Sequence, residues 1–165
     1  NCEEPFLYAI VVLALSTGAR KSEILNLTWG DVDLQRKVAV LHQTKNDERR
    51  ALPLAGAALE CVNGLAGMRR IDTRLLFPDE SGKKPILIRA PWEKVLKEAG
   101  IEDFKFHDLR HSAASYLAMS GASLAEIAEV LGHKTLQMVK RYSHLSEQHT
   151  ASVVSKMNNK IFGER

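Results

Sequence analysis

The most apolar stretch of the chain lies near its beginning. Ten consecutive residues, Phe6–Leu15, are apolar and leave no polar stripe for solvent. Pro5 suits the first turn of a helix, and Gly18 suits its end. The pattern therefore predicts a helix over residues 4–17 that is buried on all sides, followed by a short helix over residues 21–27.

The pattern changes to that of strands in the next part of the chain. Residues 37–42 are rich in β-branched side chains, and residues 49–54 alternate between polar and apolar. The turn-like segment 43–47 separates them, so we expect two strands of a small antiparallel sheet. The sequence Gly-Asp-Val-Asp at 30–33 is typical of a turn.

Helical patterns dominate the rest of the chain. Ser123 followed by Glu126 is typical of a capping box at the start of a helix, and Gly132 suits its end. Tyr116 falls on the apolar stripe of the preceding helix. The predicted helices cover residues 56–68, 91–99, 107–120, 123–130, 135–142 and 146–162, with a loop over 76–85. The whole pattern predicts a mainly α fold with a small antiparallel β-sheet.

Composition narrows the class of protein. The 165 residues are 45% hydrophobic and 26% charged, as in an ordinary globular domain. The net charge of +3 does not by itself indicate a nucleic-acid partner. The two cysteines exclude a disulfide scaffold and a cysteine-rich zinc module. The longest apolar run is too short to span a bilayer and no signal segment is visible, so we expect a cytoplasmic protein.

The sequence His-Asp-Leu-Arg-His at 107–111 is the densest group of side chains that could bind a ligand or take part in a reaction. His107, Arg110 and His111 fall on one helix face, which favours an anion or a metal as ligand. Two histidines at this spacing beside Asp108 resemble the zinc-binding motif of peptidases, although Arg110 would repel the ion. A solvated helix end is the plain alternative.

Four further residues stand at turns or helix ends. Arg20 lies between two predicted helices, where it either pairs with a carboxylate such as Glu23 or points into a cleft. Lys45 lies at the tip of the predicted hairpin, and His133 directly follows a helix end. Tyr142 lies on the last short helix before the tail. Each of these residues has an ordinary structural explanation when taken alone.

The order of these residues along the chain is more informative than any one of them. Arg, Lys, His-x-x-Arg, His and Tyr, in that order, resemble the catalytic set of the tyrosine recombinases, the phage-integrase type of site-specific DNA recombinase. The similar segments are LALSTGARKSEILNLTWGDVD, TKN followed by RRALPL, HDLRHSAASYLAMSGASLAEIAEVLGH, and MVKRYSHL. The resemblance implies the catalytic-domain fold of that family and a bacterial cell, with a phage or prophage gene.

The resemblance also implies a reaction. In the family, a tyrosine hydroxyl attacks the scissile DNA phosphate and forms a 3′-phosphotyrosyl link, and Tyr142 matches this nucleophile. Arg20 and Arg110 match the two arginines that clamp the phosphate oxygens. Because these arginines stabilise the charge that metals neutralise in nucleases, the resemblance implies no metal. The phosphotyrosyl link stores the energy of the phosphodiester, so the resemblance implies neither ATP nor any other cofactor.

The remaining matches supply protons and support. His107 resembles the position that takes the phenolic proton or contacts the phosphate, and Lys45 matches the lysine that protonates the leaving 5′-oxygen. His133 matches the second histidine, which donates a hydrogen bond to the phosphate. We expect Glu23 and His111 to support the site rather than to react.

The implied partner is double-stranded DNA. The resemblance implies a homotetramer on paired DNA sites, and we expect a monomer in its absence and no membrane. We also expect residues 1–165 to form one catalytic domain, with an N-terminal core-binding or arm domain missing from this chain. The candidate phosphate contacts are Arg49, Arg50, Lys134, Lys140 and Arg141.

Three alternatives remain open at this point. The segment GASLAEIAEVLGHKTLQMVKRY resembles a helix-turn-helix, which would make the chain a DNA-binding module without chemistry. A type IB topoisomerase uses the same phosphotyrosyl reaction to relax DNA. A zinc hydrolase based on residues 107–111 is the third.

Overall fold

A computed structural model describes residues 5–42 and 49–163. The chain divides into two compact units, Asn1–Ala113 and Ala114–Arg165. Most residues are helical, and the one sheet among the described residues has three antiparallel strands. The predicted mainly α fold with a small antiparallel sheet is therefore confirmed.

Helix α1 (Pro5–Thr17) supplies the centre of the first unit and packs against α3 (Ala57–Ala66). Its apolar residues at positions 7, 9, 10, 13 and 14 are buried. The prediction that α1 is buried on all sides is wrong, because Tyr8 and Leu15 are 63% and 39% exposed. These two residues are seven apart, so they share the one helix face that the core does not cover.

The sheet follows the short helix α2 (Lys21–Leu25). Its strands β1 (Val32–Asp33), β2 (Val38–Leu41) and β3 (Arg50–Pro53) lie in the order β1-β2-β3. The two predicted strands are confirmed, and Leu41 pairs with Arg50 in the register.

The turn predicted at 30–33 is only half correct. A 3₁₀ helix, Trp29–Asp31, is capped by the Asp31 carboxylate, which accepts hydrogen bonds from the N–H and the hydroxyl of Thr28 at 2.8 and 2.7 Å. The next two residues are extended and pair with β2 as strand β1.

Helix α4 (Arg89–Glu98) begins two residues earlier than predicted and belongs to the first unit. Trp92 of this helix packs edge-on against Phe106, with ring centroids 5.4 Å apart. The aromatic contacts fix the segment that leads into α5 (Asp108–Met119), which crosses the division between the two units along the chain.

The second unit contains α6 (Leu124–Leu131) and the long final helix α7 (Glu147–Phe162). The predicted capping box is confirmed, since Ser123 Oγ accepts a hydrogen bond from the Glu126 N–H at 3.2 Å. Tyr116 does not lie on a buried stripe, because its side chain is 66% exposed. The core residues of this unit are Ala114, Ala118, Ile127, Ala128, Leu131, Val139 and Tyr142.

The helix predicted over 135–142 is wrong in kind. The segment forms two 3₁₀ helices, Leu136–Met138 and Lys140–Ser146. Val139 and Tyr142 are both buried and three residues apart, and a repeat of three residues per turn places both on one face. Among the described residues, no helix combines the length and the apolar character that crossing a membrane requires.

Candidate active site

The turn that carries Arg20 is fixed by a buried hydroxyl. Thr17 Oγ1 donates to the Leu13 carbonyl at 2.6 Å and accepts the Ala19 N–H at 3.2 Å. Gly18 between them has a φ of +61°, a left-handed conformation that favours glycine. The sequence Thr-Gly-Ala-Arg therefore sets the direction in which Arg20 enters α2.

Arg20 is held by Glu23 at the start of α2. Arg20 Nη1 donates to Glu23 Oε1 at 2.6 Å, and the Arg20 N–H donates to Oε2 at 2.8 Å. The Glu23 side chain is only 5% exposed, whereas that of Arg20 is 22% exposed. Both alternatives raised for Arg20 are therefore observed, since it pairs with Glu23 and also faces a pocket.

The first turn of α5 brings a second arginine to the same turn. Arg110 is 4% exposed, and its Nη1 donates to the Gly18 carbonyl at 2.6 Å. His107 is exposed just before α5, and its ring lies perpendicular to that of half-buried His111, with centroids 5.0 Å apart. The structure therefore brings Arg20, His107 and Arg110 together within one unit.

These three side chains line an open pocket of about 400 Å³. Lys21 and Lys105 also line it, although sequence reasoning did not select them. Their proximity in sequence to Arg20 and His107 is the signal that could have identified them. Four permanent cations and an imidazole suit an anion with several oxygens, such as a phosphodiester.

The metal alternative finds no support in the geometry. Within residues 5–42 and 49–163, no three histidine, cysteine, aspartate or glutamate side chains are grouped so that they could hold a metal ion. Asp108 instead accepts the backbone N–H of Lys105 at 2.7 Å through Oδ2, which fixes the entry into α5. His107 and His111 therefore lack a third ligand among the described residues.

The two adjacent arginines of the hairpin have different environments. Arg49 is exposed, as expected of a phosphate contact. The Arg50 side chain is only 9% exposed, and its Nη2 donates to Glu23 Oε2 at 2.8 Å. Burial lowers the pKa of the Arg50 guanidinium from its ordinary value, and the charge of Glu23 opposes this effect. Lys45 lies outside the described residues.

The other predicted site residues belong to the second unit. His133 is half-buried and follows Gly132, whose φ of +64° ends α6. Its N–H donates to the Ala128 carbonyl at 2.8 Å, which fixes the backbone at this position. Tyr142 is 6% exposed on the second 3₁₀ helix. The exposed cations of this unit that were predicted to contact phosphates are Lys134, Lys140 and Arg141.

The helix-turn-helix alternative does not fit this unit. Helix α6 and its glycine turn are present, but the segment that follows consists of 3₁₀ helices of three and seven residues. A recognition helix needs a regular α-helical face to enter the major groove.

Comparison with known proteins identifies the family to which a chain with these features belongs. The model of the phage integrase family matches residues 1–149. The chain belongs to the phage integrase family of tyrosine recombinases. It is 36% identical over 175 residues to the integrase of Salmonella phage P22, covering 99% of this chain but 45% of that protein. The chain thus spans less than half of that relative.

Two solved structures of family members are similar in fold. The catalytic domain of bacteriophage HP1 integrase is 28% identical, with a TM-score of 0.72 over 100% of this chain and 89% of that one. XerH site-specific recombinase, in a post-cleavage complex with its difH substrate, is 25% identical, with a TM-score of 0.71 over 89% of this chain and 44% of that one. The predicted catalytic-domain fold is confirmed.

Proposed function

We propose that this chain is the catalytic domain of a site-specific DNA recombinase that cuts and rejoins strands through a 3′-phosphotyrosyl intermediate. The observation that carries the proposal is the cationic pocket lined by Arg20, His107 and Arg110, in a chain of the phage integrase family. The pocket offers guanidinium donors to an anion, and the family supplies the reaction that such an anion undergoes.

The proposed cleavage step forms one bond and breaks one. The Tyr142 oxygen forms a bond to the scissile phosphorus, and the bond from phosphorus to the 5′-oxygen breaks. His107 accepts the phenolic proton, and Lys45 gives a proton to the leaving 5′-oxygen. A phenol has an ordinary pKa of about 10, so it needs nearby cations to react at neutral pH. Attack by a 5′-hydroxyl reverses the step, and neither ATP nor a metal is required.

The two arginines stabilise the charge that develops on the phosphate. Arg20 and Arg110 donate to the non-bridging oxygens, and His133 donates a further hydrogen bond. The hydrogen bond from Arg110 to the Gly18 carbonyl supports this role, because it ties the two arginines to one turn before DNA arrives. Glu23 and His111 support the site through Arg20 and His107, which they contact.

The proposed partner is double-stranded DNA. The XerH structure, described as a post-cleavage complex with its substrate, supports a DNA-bound reaction in this fold. Exposed cations in both units, Arg49, Lys134, Lys140 and Arg141, would contact phosphates. We further propose that residues 1–165 act as one catalytic domain, monomeric when free and tetrameric on paired sites.

A suicide substrate tests the proposal. DNA nicked beside the scissile phosphate loses its 5′-hydroxyl fragment after cleavage, so a covalent protein–DNA adduct accumulates. Wild-type protein should form this adduct with EDTA present, and Tyr142→Phe should abolish it.

The matched control is Tyr116→Phe, which removes the same hydroxyl from an exposed tyrosine of α5. This variant should form the adduct at the wild-type rate. An adduct that survives Tyr142→Phe contradicts the nucleophile assignment. A wild-type protein that binds DNA without any adduct favours a binding module instead. Relaxation of supercoiled plasmid without strand exchange between two sites would favour the topoisomerase alternative.

A further inference from the structure

The Glu23 carboxylate lies between two guanidinium groups. Its Oε1 accepts Nη1 of Arg20 at 2.6 Å, and its Oε2 accepts Nη2 of Arg50 at 2.8 Å. The side chains of Glu23 and Arg50 are 5% and 9% exposed. Arg20 lines the cationic pocket, whereas Arg50 does not. The three side chains thus form a row that runs from the interior of the first unit to the pocket.

Arg50 is badly placed for a phosphate contact. It lies on β3 with Leu52, two residues away on the same face, and Leu52 is fully buried. To reach DNA, Arg50 would have to leave the buried Glu23 carboxylate, and separating a buried ion pair is strongly unfavourable. Arg49, its exposed neighbour, has no such constraint.

We infer that Arg50 is a positioning residue, which acts on the scissile phosphate through Glu23 and Arg20. This inference rests on the proposed function, in which Arg20 contacts that phosphate. Arg50 and the Arg20 N–H together hold Oε2, so Oε1 alone faces the Arg20 guanidinium. Arg20 therefore gives one nitrogen to Glu23 and directs the rest of its guanidinium to the pocket.

Loss of Arg50 has two consequences for the pocket. The carboxylate can rotate and take two N–H groups of Arg20, because bidentate pairing is the preferred geometry of arginine with a carboxylate. The Arg20 N–H groups that would donate to the phosphate then donate to Glu23 instead. Without the Arg50 cation, the negative charge of Glu23 is also less well neutralised, so the positive potential that Arg20 offers to an anion decreases.

The cleavage experiment uses saturating suicide DNA under single-turnover conditions. Arg50→Met should slow adduct formation by about 10- to 100-fold, as expected for a misplaced contact group. Its DNA affinity should fall far less than its cleavage rate, because Arg20 is one of several proposed phosphate contacts, and the salt dependence of that affinity should stay close to wild type. Arg49→Met is the matched comparison, and it should weaken binding and lower the salt slope by about 1.

A double variant separates positioning from loss of structure. Glu23→Gln combined with Arg50→Met removes both buried charges and leaves Arg20 without an unbalanced carboxylate. The double variant should therefore cleave faster than Arg50→Met alone, and Arg50→Lys should recover part of the rate because it keeps the charge. Each variant is measured at a temperature at which circular dichroism shows that it is folded.

A second measurement does not depend on cleavage. The Nε–Hε resonance of Arg20 in ¹⁵N-labelled protein should shift in Arg50→Met and stay unchanged in Arg36→Met, which removes an exposed arginine. An unmoved Arg20 resonance, or an Arg50→Met variant with a reduced salt slope and a normal saturating rate, overturns the inference. If wild type forms no adduct, the proposed function fails, and the Arg20 resonance still decides whether Arg50 positions Arg20.

Discussion

Replacing Thr17 by valine tests whether one buried hydroxyl holds the turn that carries Arg20. Thr17 is 2% exposed, and valine has nearly the same shape without the hydroxyl. The substitution removes two hydrogen bonds, one to the Leu13 carbonyl at 2.6 Å and one from the Ala19 N–H at 3.2 Å. Ala19 is also 2% exposed, so its N–H gains no water in exchange.

The expected loss of stability follows from those contacts. A hydrogen bond contributes about 1 kcal/mol net, and a buried N–H without a partner costs about 1–3 kcal/mol. We therefore expect Thr17→Val to lower the free energy of unfolding by about 2–3 kcal/mol. Thr17→Ser keeps both hydrogen bonds and loses one methyl group, which should cost only about 1 kcal/mol.

Tryptophan fluorescence during urea unfolding measures the stability of the first unit in wild type and in the two Thr17 variants. The two tryptophans of the chain, Trp29 and Trp92, both lie in the unit that contains Thr17. The order of urea midpoints should be wild type, then Thr17→Ser, then Thr17→Val, with equal slopes. A Thr17→Val midpoint at or above that of Thr17→Ser refutes the reasoning, because the hydroxyl would then contribute nothing that the methyl group does not.

Further predictions concern the second unit and the pocket. Gly132→Ala should lower the free energy of unfolding of the second unit by about 1–2 kcal/mol, measured by calorimetry, because the φ of +64° is strained for alanine. Ser123→Ala should cost about 1 kcal/mol through loss of the α6 cap, visible in the same scan. Hydrogen bonds from Ser123 lower the pKa of the Glu126 carboxyl. The contribution of the ionised cap to stability is therefore present at neutral pH and is lost as the pH falls through that lowered pKa. Calorimetry of Glu126→Gln should show no such loss. Lys21→Met and Lys105→Met should each lower the salt slope of DNA binding by about 1 in filter binding, and an unchanged slope would remove that lysine from the interface.

Most element boundaries follow from local signals in the sequence. Gly18 and Gly132 end helices in left-handed conformations, and the Ser123–Glu126 capping box begins one. Such signals act within a few residues, so they do not depend on the rest of the fold. The strand pair is predictable for the same reason, since a turn-like segment separates a β-branched run from an alternating one.

The errors occur where contacts outside the element itself decide its structure. The strand β1 has only two residues, and its pairing with Val38 and Ala39 creates it rather than its own composition. The 3₁₀ helices after α6 likewise follow from burial of Val139 and Tyr142 in the core of the second unit. Neither feature has a periodicity long enough to recognise in the sequence.

The contacts of the candidate site show the same division. The pair Arg20–Glu23 is three residues apart and was predictable, whereas Arg110 and the Gly18 carbonyl are 92 residues apart. For that contact, only the order of residues shared with the tyrosine recombinases indicated that distant segments meet. Lys21 and Lys105 belong to the same pocket but not to that shared order, which is why they were missed.

Arg49 and Arg50 show how much of the site could have been predicted from the sequence. Alternation along β3 places Arg50 on the face of Leu52 and Leu54, which are 1% and 2% exposed, so the pattern already directs one of the two arginines inward. An inward arginine requires a buried acceptor such as an acid, because an unpaired cation is too costly in the interior. Glu23 is 27 residues away from Arg50, and nothing local identifies it as that acid. The alternation predicts that a partner exists, and only the fold shows that the partner is the residue that holds Arg20.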